Sequence, residues 1–64
     1  MPRQVFSKDD FLKIADGAIE CLVVRRKDKV KLKLMRSRSM YVYVTDESEA
    51  NDLLKSIKLD AIEL

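Results

Sequence analysis

The chain has 64 residues, of which 47% are hydrophobic and 38% are charged, and its formal net charge is +2. A chain of this length forms one small domain, near the lower limit for folding without disulfides or metals, and we expect a single domain over residues 1–64. One cysteine, no histidine and one glycine exclude a disulfide framework, the usual zinc sites and glycine-rich phosphate loops, so we predict neither an enzyme nor a cofactor site.

The first predicted element is a helix over residues 8–16. Its start carries a capping-box pair and a hydrophobic-staple pair, Ser7 with Asp10 and Phe6 with Phe11. Apolar residues recur at helical spacing and predict a buried stripe of Phe11, Ile14, Ala15 and Ala18. We expect Gly17 to end the helix in the left-handed conformation, which glycine adopts without a steric penalty.

Three strands are predicted next, over residues 19–26, 29–34 and 40–45. The second alternates between lysines on one face and aliphatic residues on the other, Lys29, Lys31 and Lys33 against Val30, Leu32 and Leu34. The third also alternates, with Met40, Val42 and Val44 on one side and Tyr41 and Tyr43 on the other. The expected result is an antiparallel meander with one apolar face and one wet, basic face.

The turn between the first two strands leaves the pairing register open. A two-residue turn places Cys21 and Val23 on the core face, whereas a three-residue turn places Leu22 and Val24 there. In either turn Asp28 tolerates a positive φ.

A second helix is predicted to begin at Thr45 or Asp46, where Asp46 followed by Glu49 repeats the capping-box pattern. Its buried stripe comprises Ala50, Leu53, Leu54 and Ile57. Residues 59–64 are apolar enough for a short last strand or a covering segment. The predicted fold is a two-layer α+β domain of order α-β-β-β-α(-β), with both helices on one face of an antiparallel sheet and an open basic face.

Eight of the thirteen lysines and arginines lie within residues 25–38, which we call the basic strip. Its members are Arg25, Arg26, Lys27, Lys29, Lys31, Lys33, Arg36 and Arg38. With Asp28 as its one acid, the strip has a formal charge of +7, and the remaining residues carry −5. A concentration of one sign attracts polyanions, first of all the nucleic-acid backbone.

Two interpretations of the strand lysines are open. They are either the solvated face of a strand that is guarded against aggregation, or contacts to phosphate. The arginines before and after the strand favour phosphate, because a solvated face usually mixes charges of both signs. Tyr41 and Tyr43 either stack on splayed bases or pack as cross-strand partners. We predict recognition of folded RNA by backbone charge and shape.

The longest apolar run, residues 21–24, is far too short for a membrane span or for the apolar region of a signal peptide. The lone Cys21 suits a reducing compartment. We therefore expect a soluble intracellular domain without a membrane partner.

Five motifs follow one another along the chain: Met1-Pro2-Arg3, Asp10-Phe11-Leu12, Val30-Lys31-Leu32-Lys33-Leu34, Ser37-Arg38-x-x-Tyr41 and Thr45-Asp46. In order and spacing they resemble the ribosomal protein L thirty-eight family of archaeal and eukaryotic large subunits. The resemblance spans essentially the whole chain and implies a small α+β protein in the cytoplasmic ribosome. Its implied partners are large-subunit ribosomal RNA and neighbouring ribosomal proteins, with no enzymatic activity, cofactor or small-molecule substrate. The acidic helices and compact tail suggest an archaeal member.

By position, the resemblance also implies RNA contacts at Arg3, Lys31, Lys33 and Arg38, with Tyr41 as a packing or contact residue. The complete set of expected RNA contacts is the basic strip together with Arg3 and Tyr41. Two other functions stay open, a protein-binding module that uses an open sheet edge and a free-standing small RNA-binding protein.

Overall fold

The computed structural model describes residues 3–57 and 59–64, so the first two residues of the Met1-Pro2-Arg3 motif lie outside the described residues. The chain order is β1 (Arg3–Val5), α1 (Lys8–Ala15), β2 (Glu20–Arg25), β3 (Val30–Met35), β4 (Met40–Thr45), α2 (Glu47–Ser56) and β5 (Ala61–Glu63). The two predicted helices and the three central strands are confirmed, with ends that differ by at most two residues. The short last strand is also confirmed.

Helix α1 begins as predicted, but the hydrophobic staple before it is wrong. Ser7 has extended backbone, and its hydroxyl oxygen accepts the amide N–H of Asp10 at 3.2 Å. Phe11 is completely buried, whereas Phe6 is 80% exposed. The reason is strand β1, which pairs Val5 with Tyr43 and buries it, so that the next side chain in the chain is directed away from the core.

The end of α1 also differs from the prediction. No residue in the described ranges has a positive φ, so Gly17 does not take the left-handed conformation. Asp16 instead stays in the right-handed helical region, and the N–H groups of Gly17 and Ala18 bond to carbonyls three residues back, at 3.2 and 3.1 Å. The helix therefore ends in a tighter 3₁₀-type turn.

The sheet has the strand order β1-β4-β3-β2-β5. Strands β2, β3 and β4 form the predicted antiparallel meander, but β1 is parallel to β4 and β5 is parallel to β2. The prediction of an antiparallel sheet is therefore wrong at both edges, and the described sheet is mixed. A helix joins each edge strand to the meander in sequence, α1 between β1 and β2 and α2 between β4 and β5, and each helix crosses over the sheet to connect parallel strands that are not neighbours.

The turn after β2 is the two-residue alternative. The N–H of Arg26 donates to the carbonyl of Lys29 at 2.8 Å, which leaves two residues at the tip. The register then pairs Cys21 with Leu34 and Val23 with Leu32, and all four are completely buried. Asp28 does not use the positive φ that an aspartate tolerates, since no residue of this turn has one.

Both helices cover one face of the sheet, as predicted, and the core lies between the two layers. The buried core residues are Val5, Phe11, Ala15, Cys21, Val23, Val30, Leu32, Leu34, Tyr43, Ala50 and Leu53. Leu54 and Ile57 pack against this core from α2. The predicted stripes of both helices are thus confirmed as the surfaces that hold the layers together.

The other face, which we call the open face, is not the wet, basic surface that was predicted. On the three central strands its residues are Glu20, Leu22, Val24, Lys31, Lys33, Met35, Met40, Val42 and Val44, so aliphatic side chains surround two lysines, and Glu20 lies opposite Met35. The register sets this pattern, because it places Tyr43 opposite Leu32 and Val42 opposite Lys33. The tyrosines of β4 consequently face the core, and its valines stand beside the lysines.

Candidate nucleic-acid interface

The basic strip runs along the middle of the sheet and continues through a turn at each end. Residues 26–29 form the first turn, Val30–Met35 is strand β3, and residues 36–39 form the second turn. A six-residue strand is roughly 20 Å long at 3.4 Å per residue. The domain measures 30 × 24 × 22 Å, so positive charge extends across most of its length.

Arg25, the first member of the strip, forms ion pairs with two carboxylates of the same chain at the surface. Its Nε and Nη2 atoms donate to the Glu63 Oε1 atom at 2.9 and 2.6 Å, and Nη1 lies 3.4 Å from Glu47 Oε1. The hydrogen bond to Glu63, more than any other influence, raises the pKa of Arg25. This guanidinium is therefore directed toward β5 and the start of α2, and two carboxylates compensate its charge.

The first turn presents the cations Arg26, Lys27 and Lys29, all of which are exposed. They flank a two-residue tip at which Asp28 is the one acid. Because an exposed two-residue turn packs against little else, its side chains are free to reach outward. This turn is the densest group of accessible positive charge in the strip.

Lys31 and Lys33 are half-buried on the open face. The register places each between aliphatic residues of both neighbouring strands, Val24 and Val44 beside Lys31, and Leu22 and Val42 beside Lys33. Their methylene stems cover apolar surface while the ammonium groups reach solvent. Lys31 and Lys33 are two residues apart on one strand, so their side chains leave the sheet about 7 Å from each other.

The second turn carries Arg36 and Arg38, and the two differ in environment. The N–H of Arg36 donates to the Ser39 carbonyl at 2.8 Å, and the Arg36 guanidinium lies over Gly17. A Cβ atom on Gly17 would stand 2.8 Å from the Nη2 atom, so the missing side chain makes this approach possible. Arg36 thereby brings positive charge to the C-terminal end of α1, whereas Arg38 is at the exposed tip.

Tyr43 is a packing residue rather than a stacking surface for RNA. Its ring centroid is 5.6 Å from that of Phe11, and its hydroxyl donates to Glu49 Oε1 at 2.5 Å. This hydrogen bond, followed by burial, raises the pKa of Tyr43. The packing interpretation of the tyrosines is confirmed for this residue.

Tyr41 and Arg3, the expected contacts outside the strip, are neighbours. They are paired in the β1–β4 register, at the sheet edge, where Tyr41 is half-buried and Arg3 is exposed. Both line an opening of about 300 Å³ between β1 and α1, to which Phe6 and Lys13 also contribute. Sequence reasoning missed these last two, because only the recognition of β1 would have indicated that Phe6 points outward.

Chemical groups for catalysis are scarce in the part of the chain that the structure describes. It contains no cluster of three or more histidine, cysteine, aspartate or glutamate residues able to hold a metal ion. Burial raises the pKa of the Cys21 thiol, which opposes formation of the reactive thiolate.

Neither α1 nor α2 has the length and apolar character needed to span a bilayer.

Comparison with known proteins gives one informative relative. No family model matches the sequence. The large ribosomal subunit protein eL38 of Aeropyrum pernix is 34% identical over 58 residues, which cover 91% of this chain and 87% of the relative. The similarity therefore extends over nearly the whole fold and is not confined to the lysine-rich strand.

Proposed function

Because this chain belongs to the eL38 family of large ribosomal subunit proteins, we propose that it binds and stabilises large-subunit ribosomal RNA through the basic strip. Membership makes it a structural protein of the large subunit and not an enzyme, and the cytoplasmic ribosome is its location. The same membership agrees with the family that the sequence motifs resemble.

The observation that carries the proposal is the continuity of positive charge from the first turn, along β3, to the second turn. Within residues 25–38 Asp28 is the one carboxylate, whereas the acids near Arg25, and Glu20 opposite Met35, lie to one side of the line. Phosphate groups that approach this line meet cations at both ends and in the middle of the sheet. By neutralising phosphates, the strip allows RNA segments to approach one another, and the rigid sheet fixes their separation.

The structure supports unequal contributions from the expected contacts. Exposed cations at the tips, in the first turn and at Arg38, contact phosphate most directly. Lys31 and Lys33, in the middle of the open face, rank next in their contribution to phosphate contact, together with Arg36, whose guanidinium lies over Gly17. Arg25 contributes least, because its charge is already compensated.

A paired substitution tests the central lysines. Methionine preserves the stem that packs between aliphatic neighbours while it removes the charge, so Lys31→Met with Lys33→Met should keep the fold. In a titration of deproteinised archaeal large-subunit ribosomal RNA, the slope of log K against log salt should become shallower by about 2, roughly 1 for each lost phosphate contact. The matched control is Lys8→Met with Lys55→Met, which removes two exposed helix lysines. An unchanged slope in the β3 variant would exclude these lysines from the interface.

A contact with neighbouring ribosomal proteins is also supported by one observation. Ile62 of β5 is 43% exposed, and Leu64, which directly follows β5, is 74% exposed. β5 is an edge strand, and among the described residues no strand pairs with its outer side. A strand from another protein would bury Ile62 and Leu64 by adding to this edge. Such binding should depend little on salt, which separates it from RNA binding. Co-sedimentation of the protein with large subunits in high salt would support either contact on the ribosome, whereas a free-standing RNA-binding protein would not co-sediment.

A further inference from the structure

We infer that the opening between β1 and α1 is a pocket for one unstacked RNA base, with Phe6 and Tyr41 as its stacking surface. This inference rests on the proposed function and deepens it, since it adds a contact to a base where the basic strip contacts only the backbone. The pocket lies at the sheet edge formed by β1, outside the basic strip.

The pocket exists because two layers meet at an edge that no further element closes in the described residues. Val5 is buried under α1, but the outer side of β1 is unpaired. The opening between them has a volume of about 300 Å³. Its main lining comes from three elements and the segment after β1: Arg3, Phe6, Asp10, Lys13, Ile14 and Tyr41. This concave space is therefore open to solvent and already formed in the free protein.

Phe6 gives the first reason to assign a base to this pocket. Its side chain is 80% exposed, although the sequence places it where a hydrophobic staple would bury it against Phe11. Exposing an aromatic ring to water costs free energy in the free protein, and a partner that covers the ring removes this cost. Tyr41, half-buried in the same lining, offers a second aromatic surface. Every base has a flat π-face that stacks on such rings.

The charged groups of the lining fit a nucleotide. Arg3 and Lys13 supply positive charge for the phosphates on either side of the base. Asp10 supplies a carboxylate, which accepts a hydrogen bond from an exocyclic amino group such as N4 of cytosine. An apolar peptide side chain would need neither the two cations nor the acid. The combination of aromatic surface, excess positive charge and one acceptor therefore favours RNA over a protein partner.

The pocket also lies within reach of RNA bound to the basic strip. Strand β1 is separated from β3 by β4 alone. Neighbouring strands are spaced by about 4.8 Å, so β1 lies roughly 10 Å from β3. The pocket is on the helix side of the sheet, where Tyr41 stands opposite Leu34, whereas Lys31 and Lys33 project from the open face. An RNA segment bound at Arg38, three residues before Tyr41, can therefore pass around the β1 edge and place an unstacked base at Phe6.

The test compares Phe6→Leu and Tyr41→Leu, which keep apolar volume but remove the aromatic face, with the wild-type chain. The probe is deproteinised archaeal large-subunit ribosomal RNA at low and at moderate salt. Each variant should lower affinity about tenfold at both salt concentrations, with an unchanged salt slope, since stacking releases no counterions. Tyr41→Phe keeps the aromatic face and should lose less affinity than Tyr41→Leu. The matched control is Ile19→Ala, which shortens a side chain that is 68% exposed and lies outside the pocket.

Ultraviolet crosslinking gives a second readout, and a nucleotide attached to a peptide containing Phe6 or Tyr41 is the expected product. Thermal unfolding establishes that the variants fold, and should Tyr41→Leu fail to fold, the exposed Phe6→Leu decides alone. Wild-type affinity in Phe6→Leu with a normal salt slope would overturn the pocket and leave the proposed function standing. If that variant instead loses binding to a ribosomal protein, the occupant is a peptide and the assignment is wrong. Absence of RNA binding by the wild-type chain would overturn both proposals.

Discussion

Arg25 donates two hydrogen bonds to a single oxygen of Glu63, from Nε at 2.9 Å and from Nη2 at 2.6 Å. The pair joins β2 to β5, the last strand of the sheet, across 38 positions in sequence. An arginine that appears in the sequence as the start of the basic strip therefore belongs, in the fold, to a contact that fastens the sheet edge.

This geometry predicts different effects for two neutralised cations. Arg25→Gln should leave the salt slope of RNA binding almost unchanged, because Glu63 and Glu47 already compensate the guanidinium. Lys29→Gln, at the exposed first turn, should make the slope shallower by about 1. The measurement is a salt titration of both variants against the same RNA. A shallower slope for Arg25→Gln would mean that RNA displaces Glu63 from the arginine.

Tyr43→Phe should destabilise the domain by about 1 kcal/mol at neutral pH, the usual net contribution of a lost hydrogen bond. The raised pKa of Tyr43 adds a pH dependence. A folded-state pKa above the unfolded value means that the stabilisation is complete below about pH 10 and is lost as pH rises through the folded pKa. Urea unfolding from neutral to alkaline pH should therefore show the wild type converging on the variant. A difference that stays constant with pH would show that ionisation of the Tyr43 hydroxyl does not control its contribution.

Gly17→Ala should stabilise the domain slightly. The φ of Gly17 is not positive, so alanine fits this backbone and reduces the entropy of the unfolded chain, which contributes about 0.5 kcal/mol. The new Cβ would meet Arg36 Nη2 at 2.8 Å, but that group is the flexible end of a side chain and can move away. A rise in the thermal unfolding midpoint is the expected result. A fall would show that Arg36 is held firmly over the end of α1.

Asp46→Ala should cost about 1 kcal/mol of stability, because the side chain caps α2. Its Oδ1 atom accepts the backbone N–H of Glu49 at 2.8 Å. Asp46→Asn retains an acceptor at that position and should recover most of the loss. Chemical denaturation of the three proteins checks this. Equal loss in both variants would point to the charge of Asp46, which the helix dipole favours, as the main contribution.

Local sequence signals were sufficient to predict the strands with alternating apolar and polar residues and the helices that begin with a capping residue. The lysine–aliphatic alternation of β3 identified both its faces, and Ser7 and Asp46 marked the helix starts where the structure has them. Strand β1 was missed because Arg3, Gln4 and Val5 contain a single buried residue and show no period. Only its parallel pairing with β4, far along the chain, makes it a strand.

Nonlocal pairing also decided which residues of β4 lie on the open face. In β4 both faces are apolar or aromatic, so alternation alone does not show whether the tyrosines or the valines are buried. Register with β3 settles it, by placing Tyr43 beside Leu32. The ion pair of Arg25 is equally invisible in the sequence, because Glu63 reaches it only when β5 has joined the sheet.

The position of β3 has a thermodynamic consequence for binding. It is the central strand, with β2 and β4 hydrogen-bonded along its whole length, so its backbone should exchange amide hydrogens more slowly than either edge. The spacing of Lys31 and Lys33 is thus set before any RNA arrives. In the proposed complex only the side-chain ends and the two turns would lose conformational freedom, and this preorganisation would lower the entropic cost of association.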